Sequence, residues 1–265
     1  MARGLSRTEL EAEWQGLPKD WYSIYQWERT AGVGYTEWIA EWIASSFEGI
    51  QLVTDGLRAR SFRVADHRGQ IKLGTGIEQL TEKRLVRAMF NAAELPLLGR
   101  VIDYEVPLKD DEAAAHGDID LLCTQPDSCL CVEAKKPQAG ESILKAVIQA
   151  YSYTSLVSTR REFFLESFAL NRQLCLAPAV LTFASAQSGR QLTALGSYPR
   201  LLGLIGLLNA RLAVEKVAAM RFFKVQNPDD ELRSCLTTME GTNGDVRAVF
   251  RDGFALSIVE HRLPA

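Results

Sequence analysis

Gly117-Asp118-Ile119-Asp120-Leu121-Leu122-Cys123-Thr124, a turn at Gln125-Pro126-Asp127-Ser128, and then Cys129-Leu130-Cys131-Val132-Glu133-Ala134-Lys135-Lys136-Pro137 form the stretch whose reading decides the fold. Side chains alternate along a strand with a period of two. On that basis the stretch reads as two strands, Ile119–Thr124 and Cys129–Lys135, joined where Pro126 and Asp127 suit a type I turn. With Thr124 facing Cys129, counting back along both strands sets Asp120 directly opposite Glu133. Side chains so paired have Cβ atoms roughly 5 Å apart, and like charges there destabilise a sheet. Glu133 and Lys135, two residues apart, project to the same face. A pair of carboxylates and an ammonium therefore gather on one face of a hairpin. A divalent cation would relieve the repulsion, and hard oxygen ligands suit Mg²⁺ or Mn²⁺.

Upstream, Gly74-Thr75-Gly76 breaks the chain, and Thr75 is suited to cap a helix running to about Ala93. Glu82 falls in line with Leu85, Val86 and Met89, so the apolar stripe aims its carboxylate inward, with Glu78 one turn earlier as a substitute. Val101–Leu108 reads as a strand and Lys109–His116 as a polar loop. Downstream, Glu141–Thr159 has the spacing of a helix with a core stripe of Leu144, Val147, Ile148, Tyr151 and Ser155. Gln149 and Tyr153 sit on its flank, one turn apart. Ala179–Ala184 is a strand-length apolar run, and Leu201–Val214 is helical, with Leu201, Leu204, Ile205 and Leu208 on one side. Beyond Val217 the pattern predicts strands at Val217–Val225 and Leu232–Met239, then a last pair turning at Asp252-Gly253.

All the tryptophans, Trp14, Trp21, Trp27, Trp38 and Trp42, lie near the start of the chain. Tyr35, Trp38, Ile39, Trp42, Ile43 and Phe47 share one wide helical stripe, which is expected to pack on the core rather than meet a partner. Arg58, Arg60, Arg63, Arg68 and Lys72 follow around a turn between two short strands, and such a cluster suits either phosphate binding or a solvated face.

The hairpin and its surroundings resemble the PD-(D/E)XK nuclease superfamily. The match is carried by Gly117-Asp118-Ile119-Asp120, by Glu133-Ala134-Lys135, and by Gln149 and Tyr153, which are similar to the Gln-x-x-x-Tyr helix of RecB-like members. The resemblance implies an α/β fold with a restriction-endonuclease-like αβββαβ core, whose mixed central sheet is flanked by helices. That core would span about 75–185, with an N-terminal, mainly helical elaboration at 1–74 and a C-terminal helix and β-strand elaboration at 186–265. It also implies hydrolysis of phosphodiester bonds, most often in DNA, in bacterial DNA processing or antiphage defence. Asp120, Glu133, Glu82 and the Ala134 carbonyl would hold Mg²⁺ or Mn²⁺. Lys135 would orient or deprotonate the attacking water, and Gln149, Tyr153 and Lys136 would contact the substrate. Asp118 shares the face of Asp120 and is the alternative ligand. A homodimer would suit double-strand cutting, and a defence-system partner protein is the other expected association.

Composition bounds these readings. The chain has 265 residues and a formal charge of −3, which excludes a uniformly basic nucleic-acid binder and leaves phosphate contact to local patches. No signal-like segment opens the sequence and no apolar run reaches the length of a membrane span, so a cytoplasmic protein without membrane contact is expected. Five cysteines suit reduced thiols. Cys123 points away from Cys129 and Cys131 in this register, which makes zinc a poor fit. The rival reading is a catalytically inactive nuclease-fold module that binds nucleic acid or a partner protein.

Overall fold

The computed structural model describes residues 6–31, 33–64, 67, 80–110, 117–241 and 256–263, with side chains at all of these except 29, 30, 33 and 238–241. In chain order the helices are α1 (Arg7–Gly16), α2 (Trp21–Ala31), α3 (Thr36–Ser45), α4 (Glu82–Ala92), α5 (Ile143–Ser158), α6 (Arg161–Ser167), α7 (Gln187–Thr193), α8 (Pro199–Val214) and α9 (Asp229–Gly241). The strands are β1 (Glu94–Leu95), β2 (Gly99–Pro107), β3 (Asp118–Thr124), β4 (Ser128–Ala134), β5 (Cys175–Phe183), β6 (Arg221–Val225) and β7 (Ile258–His261).

The hairpin forms as its alternation requires. β3 and β4 pair antiparallel with Thr124 against Cys129 and Leu121 against Val132. Leu122, Cys129 and Cys131 face one layer of helices, and Leu121, Cys123, Leu130 and Val132 face the other. Both faces being covered, these strands are apolar almost throughout. They sit inside a seven-stranded sheet whose spatial order follows the chain, β1 to β7. The strands from β1 to β4 are antiparallel, β4, β5 and β6 are parallel, and β7 returns antiparallel. The parallel step from β4 to β5 requires a crossover, which α5 supplies across one face. One layer, holding α1–α3, α5 and α8, closes a core around Ile39, Val147, Ile148, Leu204 and Phe222. The opposite layer, α4 and α9, closes a second core around Met89, Leu121, Val132, Phe223 and Leu236. The molecule is thus an α/β fold with a mixed sheet between helices, and α4, the strands β2–β4, α5 and β5 follow one another in the expected order.

Several expectations are corrected. Thr81 caps α4: its side chain accepts the Arg84 N–H and its own backbone is extended, so this helix begins at Glu82, while Gly74-Thr75-Gly76 lies outside the described residues. Glu78, Arg68, Lys72 and the Asp252-Gly253 turn lie outside the described residues. Among the described residues around Arg58, Arg60 and Arg63 no strands form, only a bridge between Leu57 and Lys109. Arg58 is buried and bonded to the carbonyls of Ser61 and Lys109, while Arg60 pairs with Asp110, so these arginines are engaged within the protein. Leu232–Met239 belongs to α9, not to a strand. Leu232, Cys235 and Leu236 are buried at helical spacing, and Asp229, Asp230 and Glu231 in the first turn favour the helix dipole. In the C-terminal region β6 and β7 extend the central sheet.

The tryptophan stripe packs inward. α3 lies against α8, and Trp14, Trp27 and Trp42 cluster with ring centroids 5.5–6.3 Å apart, tying α1, α2 and α3 together. No helix among the described residues is long and apolar enough to cross a membrane.

Candidate active site

At the end of the hairpin the ladder gives way to side chains. One step beyond the Leu121–Val132 pair, Asp120 comes level with Glu133, and the Ala134 backbone N–H donates to the Asp120 carboxylate at 2.7 Å. Glu133 is 4 % exposed and Lys135 2 %, an unusual depth for charged groups. Lys135 Nζ donates to Glu133 Oε1 at 2.6 Å and to Gln149 Oε1 at 3.1 Å, and it lies 3.5 Å from Glu141. Gln149 Nε2 in turn donates to the Tyr153 hydroxyl at 3.3 Å. The helix flank assigned to Gln149 and Tyr153 is therefore interior, since α5 is buried from Ile143 to Val157.

Gly117 has a physical reason for its place before β3. A Cβ there would lie 2.9 Å from Tyr153 Cζ and closer still to its hydroxyl. Only a residue without a side chain lets the start of β3 meet Tyr153 on α5. The start of β3 and α5 thus approach closely at this point.

These groups line a cleft of about 770 Å³ between α4, the hairpin and the N-terminal part of α5. Six carboxylates, Glu82, Glu105, Asp118, Asp120, Glu133 and Glu141, line it against four lysines, Lys83, Lys135, Lys136 and Lys145. Glu82 is half-buried at the first turn of α4, while Leu85, Val86 and Met89 below it are buried, as the stripe predicts. Lys136 is exposed at the rim.

The electrostatics reflect this crowding. Burial raises the Asp120 carboxyl well above the ordinary range, and Glu133 and Glu82 raise it further against the pull of Lys135. Burial raises Glu133 to about 6 although Lys135 lies on it, so desolvation outweighs that attraction. Burial alone would lower Lys135, but Glu133, Glu82, Asp120 and Glu141 reverse this and hold it above its ordinary value as an ammonium.

Among the described residues no three His, Cys, Asp or Glu side chains form a ready metal-ligand group. The donor set nevertheless suits a hard cation held by few protein ligands. Mg²⁺ is commonly bound through one or two carboxylates, with water and substrate phosphate completing its shell. Asp120 and Glu133 offer a carboxylate pair of that kind in the cleft, with Lys135 already paired to one Glu133 oxygen. The cysteines are not a rival site: Cys129 and Cys131 lie in one core and Cys123 in the other.

Sequence reasoning did not find Glu141, Lys145 and Glu105 in the cleft. Lys145 pairs with Glu141, a contact that the i,i+4 spacing signals, but nothing in the spacing shows that Glu141 also reaches Lys135. Comparisons with known protein families, with curated proteins and with solved structures find no match.

Proposed function

We propose that this chain is a divalent-metal-dependent nuclease with a restriction-endonuclease-like core that hydrolyses phosphodiester bonds, with DNA as substrate, in DNA processing or antiphage defence. The observation that carries the reading is the opposition of Asp120 and Glu133 beside a buried Lys135, in a cleft where carboxylates outnumber lysines. A site meant only to grip phosphate would carry the opposite balance. Carboxylates facing one another at the mouth of a sheet need a cation, and a cation there can meet a phosphate.

Asp120 and Glu133 would hold Mg²⁺ or Mn²⁺, with Glu82 and the Ala134 carbonyl as the further ligands. When bound, the ion supplies charge relief at the phosphate and a more acidic water. Lys135 would orient or deprotonate the attacking water and offset developing negative charge. Gln149 fixes the ammonium from one side and Tyr153 fixes Gln149. Lys136 and Lys83 at the rim would meet the backbone phosphates flanking the scissile one.

The inactive binding module is the second reading, favoured by the 2.6 Å ion pair through which Lys135 already occupies one Glu133 oxygen. Cleavage separates the two. Linear duplex, supercoiled circle, single-stranded DNA, a branched junction and RNA are incubated with Mg²⁺, Mn²⁺ or EDTA. Metal-dependent cutting of DNA by the wild type and none by Lys135→Ala supports the nuclease. Retained binding without cutting under every condition would transfer the reading to the binding module.

A further inference from the structure

Directly behind Lys135 lies a layer of side chains contributed by α2. Trp21, Tyr25 and Glu28, spaced four and three residues apart, share one face of that helix and meet α5. Trp21 sits edge-on to Tyr151, with ring centroids 4.9 Å apart. Tyr25 sits edge-on to Tyr153, with ring centroids 6.5 Å apart. Gln26 Nε2 donates to the Tyr25 hydroxyl at 3.1 Å. Glu28, 2 % exposed, accepts a hydrogen bond from Ser142 Oγ.

The contacts of Tyr25 and Glu28 lead to Lys135. Tyr25 bears on Tyr153, Tyr153 accepts from Gln149, and Gln149 accepts from the ammonium. Glu28 receives the Ser142 hydroxyl proton, which leaves the Ser142 oxygen free to cap α5 by accepting the Lys145 N–H at 3.2 Å. Lys145 then pairs with Glu141, the third group on Lys135. A lysine side chain has about 2 kcal/mol of rotamer entropy to lose, so fixing its ammonium requires neighbours that are themselves fixed. Packing gives no reason for a carboxylate at Glu28, because an apolar side chain of that size would fill the space without desolvating a charge.

We propose that Tyr25 and Glu28 are positioning residues for Lys135, which makes α2 part of the site rather than an appendage to it. The claim rests on Lys135 being the group that faces the substrate phosphate, and it extends the working site into the tryptophan-rich segment.

The test uses Tyr25→Phe and Glu28→Met, which keep ring and approximate volume and remove the hydroxyl and the acceptor oxygen, with Tyr22→Phe on the same helix as control. Two readouts are taken on the full chain: the ¹H–¹⁵N signal of the Lys135 ammonium in metal-free protein, and kcat and KM for DNA cleavage with Mg²⁺. Both positioning variants are expected to fold, to shift or broaden the ammonium signal, and to lower kcat about tenfold, the worth of one hydrogen bond, with KM changed less than about twofold. Tyr22→Phe should leave both readouts unchanged. An unaltered ammonium signal in both folded variants overturns the proposal. If the wild type cuts nothing, the nuclease reading fails while the ammonium signal still decides the positioning claim. Should Tyr25→Phe not fold, Glu28→Met carries the same two readouts.

Discussion

Gly117→Ala tests whether β3 and α5 meet as described. The added methyl would lie 2.9 Å from Tyr153 Cζ, where ordinary contacts begin near 3.4 Å, and nearer still to the hydroxyl. Tyr153 is 5 % exposed and braced by Gln149 and Tyr25, so it cannot swing into solvent. Moving the ring by half an ångström or more would stretch a Gln149–Tyr153 hydrogen bond already at 3.3 Å beyond its useful range. Overpacking of this kind costs roughly 1–3 kcal/mol and the lost hydrogen bond about 1 kcal/mol. A total of about 2–4 kcal/mol follows, or a fall in Tm of roughly 5–15 °C. Urea denaturation of Gly117→Ala, Tyr153→Phe and the double variant forms the assay. Tyr153→Phe removes the closest atom and leaves the ring carbon, so the alanine should cost about half as much in that background. An equal cost in both backgrounds would falsify the contact between the start of β3 and α5.

Lys135→Met leaves Glu133 buried beside Asp120 without its cation, which should cost about 3–5 kcal/mol at pH 8 and less at pH 5, where Glu133 takes up a proton. Lys135→Met/Glu133→Gln should recover most of that loss, and chemical denaturation at both pH values reads it. Glu28 supplies a separate pH dependence. Burial raises its folded-state value to about 7 from an ordinary 4.5, so the folded protein holds a proton there that the unfolded chain has released. Its stabilising effect is complete below about 4.5 and is lost as pH rises to about 7, a fall on the order of 3 kcal/mol. In Glu28→Gln that slope should be absent, and a Tm series across the range measures it.

The hairpin was legible because a period of two and a turn with Pro126 and Asp127 leave a single register that buries the apolar residues of both strands. Glu82 was legible for the same kind of reason, being a carboxylate in a stripe that ends on Met89. Around Leu232 the sequence misled. Leu232–Met239 reads as a strand, whereas Leu232, Cys235 and Leu236 are buried at helical spacing behind three acidic residues. The cap at Thr81 was missed because the break at Gly74-Thr75-Gly76 drew the reading upstream, although a threonine directly before Glu82 offers the same capping chemistry. Contacts between distant segments left no local trace. Nothing near Gly117 announces Tyr153, nothing near Glu28 announces Ser142, and Glu141 reaches Lys135 only because the turn after β4 brings α5 back over the hairpin.

The central claim is that Asp120 and Glu133 are opposed in order to hold a divalent cation. Calorimetric titration of the metal-free protein with Mn²⁺ tests it directly, using wild type, Asp120→Asn, Glu133→Gln and Asp118→Asn. The account predicts saturable binding by the wild type, its loss in Asp120→Asn and Glu133→Gln, and its retention in Asp118→Asn. Binding that persists unchanged in Asp120→Asn, or no binding by the wild type, would contradict it.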